Sequence, residues 1–76
     1  MSGRANNRLR RRFGVALRKR RKAAGFSQDA LGAASNLSGK FIGEVERSEK
    51  SVSLDSLALI ARALRCTITA LVRGAR

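Results

Sequence analysis

SQDALGAASNLSGKFIGEVER, residues Ser27 to Arg47, is the stretch that decides the fold. Ser27 stands ahead of Gln28, Asp29, Ala30 and Leu31, where its hydroxyl can accept a hydrogen bond from a backbone N–H of the next turn, and a helix is predicted over 28–34. Asp29 in the first turn suits the positive end of the helix dipole. Ser35, Asn36 and Leu37 then break the pattern, and Asn36 is the residue of the three best able to take a positive φ in a tight turn. Ser38 caps a second helix over 39–46, whose Phe41, Ile42 and Val45 form an inward set. Helices this short are not stable alone, so both must be held by packing against other elements. A short helix, a tight turn and a second short helix is the arrangement needed to lay one helix in a major groove, about 12 Å wide, with the preceding helix across the backbone.

Helices to either side can supply that support. Residues 1–8 are polar and lack periodicity, which reads as a flexible basic arm ahead of a single domain over 9–76. Apolar spacing begins at Leu9, and Leu9, Phe13, Leu17 and Ala24 lie near one face of a first helix over 9–23, ended by Gly25 in the left-handed conformation. Gly14 inside it marks either close packing or simple tolerance. Downstream, residues 47–52 form a mostly polar connection. Ser53 caps a helix over 54–64 carrying Leu54, Leu57, Ile60, Ala61 and Leu64, and Thr67 opens a last helix over 68–73 with Ile68, Leu71 and Val72. With no proline and no alternating strand pattern, the fold class is all-α, five short helices. Phe13, Phe26 and Phe41 fall on inward positions and read as core rather than as base-stacking platforms, and Cys66 reads as a small buried apolar residue.

Composition narrows the function. The 76 residues carry 17 Lys and Arg against 5 Asp and Glu, a net charge of +12, which favours polyanionic partners. The charge is uneven, because residues 1–22 contain ten bases and no acid. One cysteine and no histidine exclude an internal disulfide, zinc coordination of the usual kinds and His-dependent catalysis, so no metal, cofactor or enzymatic step is expected. No apolar run reaches the ~20 residues that span a bilayer, and the N-terminus lacks the apolar segment of a signal peptide. These features point to a soluble, cytoplasmic protein without a membrane partner or an evident small-molecule ligand.

A set of positions agrees in register with the Cro/repressor-like (XRE) helix-turn-helix family. Leu17 and Arg21 are followed by Gly25, Phe26, Ser27 and Gln28, then Leu31, Ile42, Glu46 and Arg47; a later group is Ser53, Leu54, Asp55, Ser56 and Leu57 with Ile60, Ala61, Ala63 and Leu64. Over about residues 13–72 the chain resembles that family, without an insertion. The resemblance implies a five-helix, lambda-repressor-like domain and a transcriptional regulator of repressor or controller type, such as a phage-type repressor or a restriction-modification controller. It also implies an ion pair between Arg21 and Glu46. The chain departs from the family at Gly32, where alanine is usual, and at Asn36, Ser48 and Arg65, where glycine is usual, which puts the ends of the third and fourth helices in question.

Carried over by position, Gln28 resembles the family's phosphate-anchoring glutamine, although it also suits a plain capping role. Ser38, Gly39, Lys40, Gly43 and Glu44 match the family's base-reading positions. Lys40 can donate to guanine, Glu44 can accept from cytosine, and the two glycines would let backbone approach the bases. The alternative for Glu44 is an ordinary exposed glutamate whose charge would oppose phosphates. Arg47 and Lys50 are candidate phosphate contacts, Lys50 being nearly as well explained as a solvated loop charge. The cluster Arg10, Arg11 and Arg12 is expected to reach the DNA backbone, or the arm before it to enter a minor groove. In so short a last helix Ile68, Leu71 and Val72 cannot all face inward. Apolar surface contributed by Leu64, Ile68, Leu71 and Val72 is therefore expected to pair two copies on a palindromic operator in double-stranded DNA. Two other functions fit the composition: an antitoxin-type module that binds a protein and DNA secondarily, and a nonspecific binder acting through charge alone.

Overall fold

The computed structural model describes residues 3–74 and consists of five helices. They are α1 (Gly3–Ala23), α2 (Gln28–Ala34), α3 (Gly39–Glu46), α4 (Leu54–Ala63) and α5 (Ile68–Arg73), and among the described residues all regular structure is helical. Four of the five begin at a hydroxyl cap. Ser27, Ser38 and Ser53 Oγ and Thr67 Oγ1 each accept a hydrogen bond, 3.0 Å long, from the N–H three residues on. That geometry satisfies one of the otherwise unpaired donors at each helix start.

Four helices also end alike. Gly25, Asn36, Ser48 and Arg65 have φ of 82, 59, 67 and 55°. Beyond each of them the next N–H reaches back to a carbonyl five residues earlier: Phe26 to Arg21, Leu37 to Gly32, Glu49 to Glu44 and Cys66 to Ala61. This is the left-handed termination that favours glycine, and only the first site has one. The departures at Ser48 and Arg65 therefore do not move the ends of α3 and α4. There the terminating backbone bonds from Glu49 and Cys66 are made without glycine.

The start of α1 differs from expectation. The helix begins at Gly3, six residues before the start set by apolar spacing, so the arm assigned to residues 1–8 is helical from Gly3 onward. Extending an existing helix needs no new nucleus, and Ala5 and Arg8 are adequate helix formers. Spacing of apolar residues reports where a helix is buried rather than where it begins. At 1.5 Å per residue α1 is about 31 Å long, nearly the full 33 Å of the molecule's longest dimension.

Leu17, Leu31, Ile42, Ile60, Leu71 and Val45 are fully enclosed, and Phe26, Leu37, Phe41, Val52 and Cys66 pack at the margin of this core. Phe13 belongs to it as well, so the three phenylalanines are structural. Leu9, Ala24 and Leu54 do not join it: Leu9 lies exposed at the rim of a groove it shares with Phe13, Leu57 and Val72, Ala24 follows the end of α1, and Leu54 sits at the exposed first turn of α4. Close packing explains Gly14. A Cβ there would stand 2.7 Å from the Glu46 carbonyl oxygen and 2.8 Å from that of Val45, so α1 touches the backbone at the end of α3. Gly32 is likewise pressed against the Ser38–Gly39 peptide. Gly14→Ala gains about 1 kcal/mol of helix propensity but overpacks this crossing by ~1–3 kcal/mol. A net loss of roughly 1 kcal/mol in urea unfolding is expected, and a variant as stable as the parent would mean that the crossing has slack.

Candidate nucleic-acid interface

The pose of α3 is set by a polar network at its C-terminal end. Arg21 Nε donates to Glu46 Oε2 at 2.6 Å and Nη2 donates to Oε1 at 3.1 Å, while Nη1 donates to the Phe26 carbonyl oxygen at 2.8 Å. The two side chains are 8% and 2% exposed. The expected pair is thus formed, out of water, and every buried side-chain polar atom among the described residues has a partner. Hydrogen bonding to Glu46, with the attraction of its charge, raises the Arg21 pKa further above its ordinary value against the opposing effect of burial. Gln28 Nε2 donates to Glu46 Oε1 at 3.1 Å, which ties the first residue of α2 to the same carboxylate. One glutamate therefore joins α1, α2 and α3.

On the outer side of α3, Lys40 and Arg47 are exposed and Glu44 is half-buried, spaced so that all three share one face. Ser38 is exposed, with its Oγ committed to the cap of α3. Gly39 and Gly43 are placed differently from expectation. A Cβ on Gly39 would collide with the Asp29 carboxylate, and one on Gly43 would stand 3.0 Å from Arg47 Nη1 and 3.2 Å from Gln28 Oε1. Both glycines therefore face α2 and its first residue rather than open groove. Their smallness serves the close crossing of the two helices, which a helical wheel of α3 alone does not reveal. Gln28, Gly43 and Arg47 are neighbours as a result, and they form the edge of the α3 face.

Arg47 carries a partner that sequence reasoning missed. Its Nε donates to Glu49 Oε2 at 3.0 Å and its Nη2 to Oε1 at 3.4 Å. The hydrogen bonds and the charge of Arg47 hold the Glu49 carboxyl below the usual range. Both side chains are more than half exposed, so the pair is weak and exchangeable for another anion. The only signal in the sequence was the i, i+2 spacing across the end of α3, which brings side chains together only once Ser48 turns left-handed.

The arginine run does not form one cluster. Arg10 lines an apolar groove with Leu9, Phe13, Val52 and Lys50, whereas Arg11 and Arg12 lie beside Val15 and Gly74. Successive helical residues turn by 100°, which separates them. Lys50 shares that groove with Arg10. The residues named for a dimer surface divide as well. Leu64 and Leu71 are buried in the chain's own core, Leu71 to 1%, while Ile68 and Val72 are each 41% exposed on the outer side of α5. No helix among the described residues is long and apolar enough to cross a membrane, and no group of three metal-ligating side chains occurs among them.

Over residues 17–71 the chain matches the helix-turn-helix family. No curated protein sequence matches it. Among solved structures it is similar to the clp gene regulator ClgR from Corynebacterium glutamicum, with 34% identity, a TM-score of 0.83, and 88% of this chain and 71% of that chain covered. A second crystal structure of that regulator gives the same identity and score, with 86% of its chain covered. The restriction-modification controller protein C.AhdI from Aeromonas hydrophila is 37% identical with a TM-score of 0.80, over 82% of this chain and 94% of that chain. With five helices, a capped helix pair anchored by one buried ion pair, and this match over most of the described chain, the protein belongs to the XRE-type helix-turn-helix family of non-enzymatic, DNA-binding transcription regulators.

Proposed function

We propose that the protein regulates transcription by occupying a specific operator, as a two-fold symmetric dimer with one α3 in each of two successive major grooves. The observation that carries this reading is the open face of α3, where Lys40 and Glu44 project beside the Gln28–Gly43–Arg47 edge. Lys40 and Glu44 read base edges, with Ser38 at the N-terminal end of the helix. Gln28 and Arg47, side by side at that edge, bind phosphates, Arg47 after exchanging Glu49 for a phosphate oxygen. Gly39 and Gly43 contribute by letting α2 and α3 approach. Likeness to a restriction-modification controller and to a clp gene regulator supports a regulatory role, and a regulator that occupies DNA acts in the cytoplasm.

Selection of bound sequences from random duplex DNA at near-physiological salt is the test. A regulator yields a site preferred over random DNA by about 10³ or more, whereas charge-only binding yields almost no preference. Against the selected site, Arg47→Gln weakens all DNA alike and reduces the salt slope by about one unit. Lys40→Ala instead relaxes one base position, with a loss of about 1 kcal/mol of discrimination, the lower end for a single flexible donor. Equal losses on operator and random DNA for both variants would contradict these roles.

Dimerisation is supported by Ile68 and Val72, whose exposed apolar surface on α5 continues toward the groove at Leu9 and Phe13. Two short recognition helices about 34 Å apart discriminate far better than one. Sedimentation at micromolar concentration is expected to show a dimer that Ile68→Glu and Val72→Glu dissociate without unfolding. Leu71 is unsuitable for this test because a charge there would enter the core. A parent protein that sediments as a monomer and binds one per site rules the dimer out.

A further inference from the structure

The structure carries a basic surface that the helix-turn-helix does not use. Arg8, Arg11, Arg12, Arg18, Lys19 and Lys22 are all exposed, and their spacing puts them on one side of α1. Arg8, Arg12 and Lys19 lie directly opposite the buried Phe13, Leu17 and Arg21, with the other three along one flank. Neither ion pair among the described residues involves this stripe, and residues 1–22 contain no acid. Gly14 and Arg21, the α1 residues seen to reach α3, are on the inward side, and by helical spacing Arg8, Arg12 and Lys19 point farthest from them. A duplex held by α3 therefore leaves Arg8, Arg12 and Lys19 open.

We infer that this face of α1 is a second, sequence-independent binding surface for the phosphate backbone of a nucleic-acid duplex, so that one protein can hold two DNA segments together. From Arg8 to Lys22 the stripe runs about 21 Å at 1.5 Å per residue. One DNA strand presents a phosphate about every 3.4 Å, roughly six over that length, against six cations. The chemistry favours a duplex over other polyanions. A membrane-binding helix needs a free apolar face, and here that face is buried as the core. A protein partner needs an apolar or aromatic anchor, and Val15 is the single large apolar side chain on the stripe. Bridging, though not the surface itself, rests on α3 holding the first duplex.

The test compares the parent with Arg8→Gln/Arg12→Gln/Lys19→Gln. Glutamine keeps the helix propensity of these exposed sites, and a charge-preserving Arg8→Lys/Arg12→Lys/Lys19→Arg variant controls for structural effects. On a 30-base-pair duplex of random sequence the glutamine variant is expected to lose about three units of salt slope, at ~0.9 per phosphate, and the charge-preserving variant none. With one duplex fixed to beads and a second one fluorescent, the parent and the charge-preserving variant capture the second duplex. The glutamine variant binds the beads but captures none. An unchanged salt slope in the glutamine variant overturns the inference, as does capture that survives it but is abolished by Lys40→Ala/Arg47→Gln. Binding of phosphatidylserine vesicles through the stripe, with no loss of duplex affinity on its removal, overturns it in favour of a lipid surface. If no preferred operator exists but the slope falls as stated, the stripe stands and the operator reading fails.

Discussion

Arg21→Met is expected to lower the free energy of unfolding by ~3–5 kcal/mol, the usual cost of removing one partner from a buried ion pair. Total stability for a chain of this length is about 4–11 kcal/mol at ~0.05–0.15 kcal/mol per residue, so the variant is close to unfolding at growth temperatures. The loss is large because the Glu46 side chain is 2% exposed and would be left with only Gln28 as a side-chain donor. The Phe26 carbonyl would also lose its side-chain donor. Arg21→Met/Glu46→Leu is expected to recover much of the loss, since replacing both partners by apolar groups leaves no stranded charge. Its DNA affinity still falls, because Gln28 has lost its tether to α3. Chemical denaturation of the two variants decides the matter: a loss below 1 kcal/mol in the single variant, or a double variant no more stable than the single one, means the pair is not the clamp described here.

Asn36→Gly/Ser48→Gly/Arg65→Gly is expected to raise stability by about 2 kcal/mol and the thermal midpoint by on the order of 8–16 °C, at ~4–8 °C per kcal/mol for a domain of this size. A residue with a Cβ pays ~1–2 kcal/mol in the left-handed conformation. Glycine removes that strain but returns roughly 0.5–1 kcal/mol through the greater freedom of its unfolded chain. Ser48 and Arg65 account for most of the gain, since asparagine tolerates positive φ better than most residues. Gly25→Ala, at φ 82°, is expected to move the midpoint the other way. Thermal melts of the single variants settle it, and a fall in midpoint for Ser48→Gly or Arg65→Gly means that those side chains contribute contacts beyond their backbone.

How much could be read in advance depended on the range of each signal. The bounds of α2, α3 and α5 matched expectation to the residue, and α4 to within one. A hydroxyl cap and a left-handed terminating residue act over three to five positions and are written side by side in the chain. Arg21 and Glu46 lie 25 residues apart, and their pairing was legible only through resemblance to a family. The roles of single residues on each helix were less accessible. Ile68, Leu71 and Val72 share one short helix, and spacing alone does not say which of them meets the core.

An all-helical chain with a helix-turn-helix at Ser27 to Arg47, its caps, its basic N-terminal stretch and the chemistry it lacks could all be read from the residues alone. These follow from local backbone hydrogen bonding and from charge, neither of which needs a distant partner. The folded packing sets which apolar residues are core: Leu64 and Leu71 are buried while Ile68 and Val72 stay exposed. It also turns Gly39 and Gly43 toward α2, gives Arg47 a carboxylate neighbour and leaves Arg8, Arg12 and Lys19 of α1 pointing away from α3. The physical reason is common to all of them. A helix fixes which side chains share a face, but which face is buried depends on the surfaces that other helices bring to it, and those are set by contacts between residues far apart in the chain.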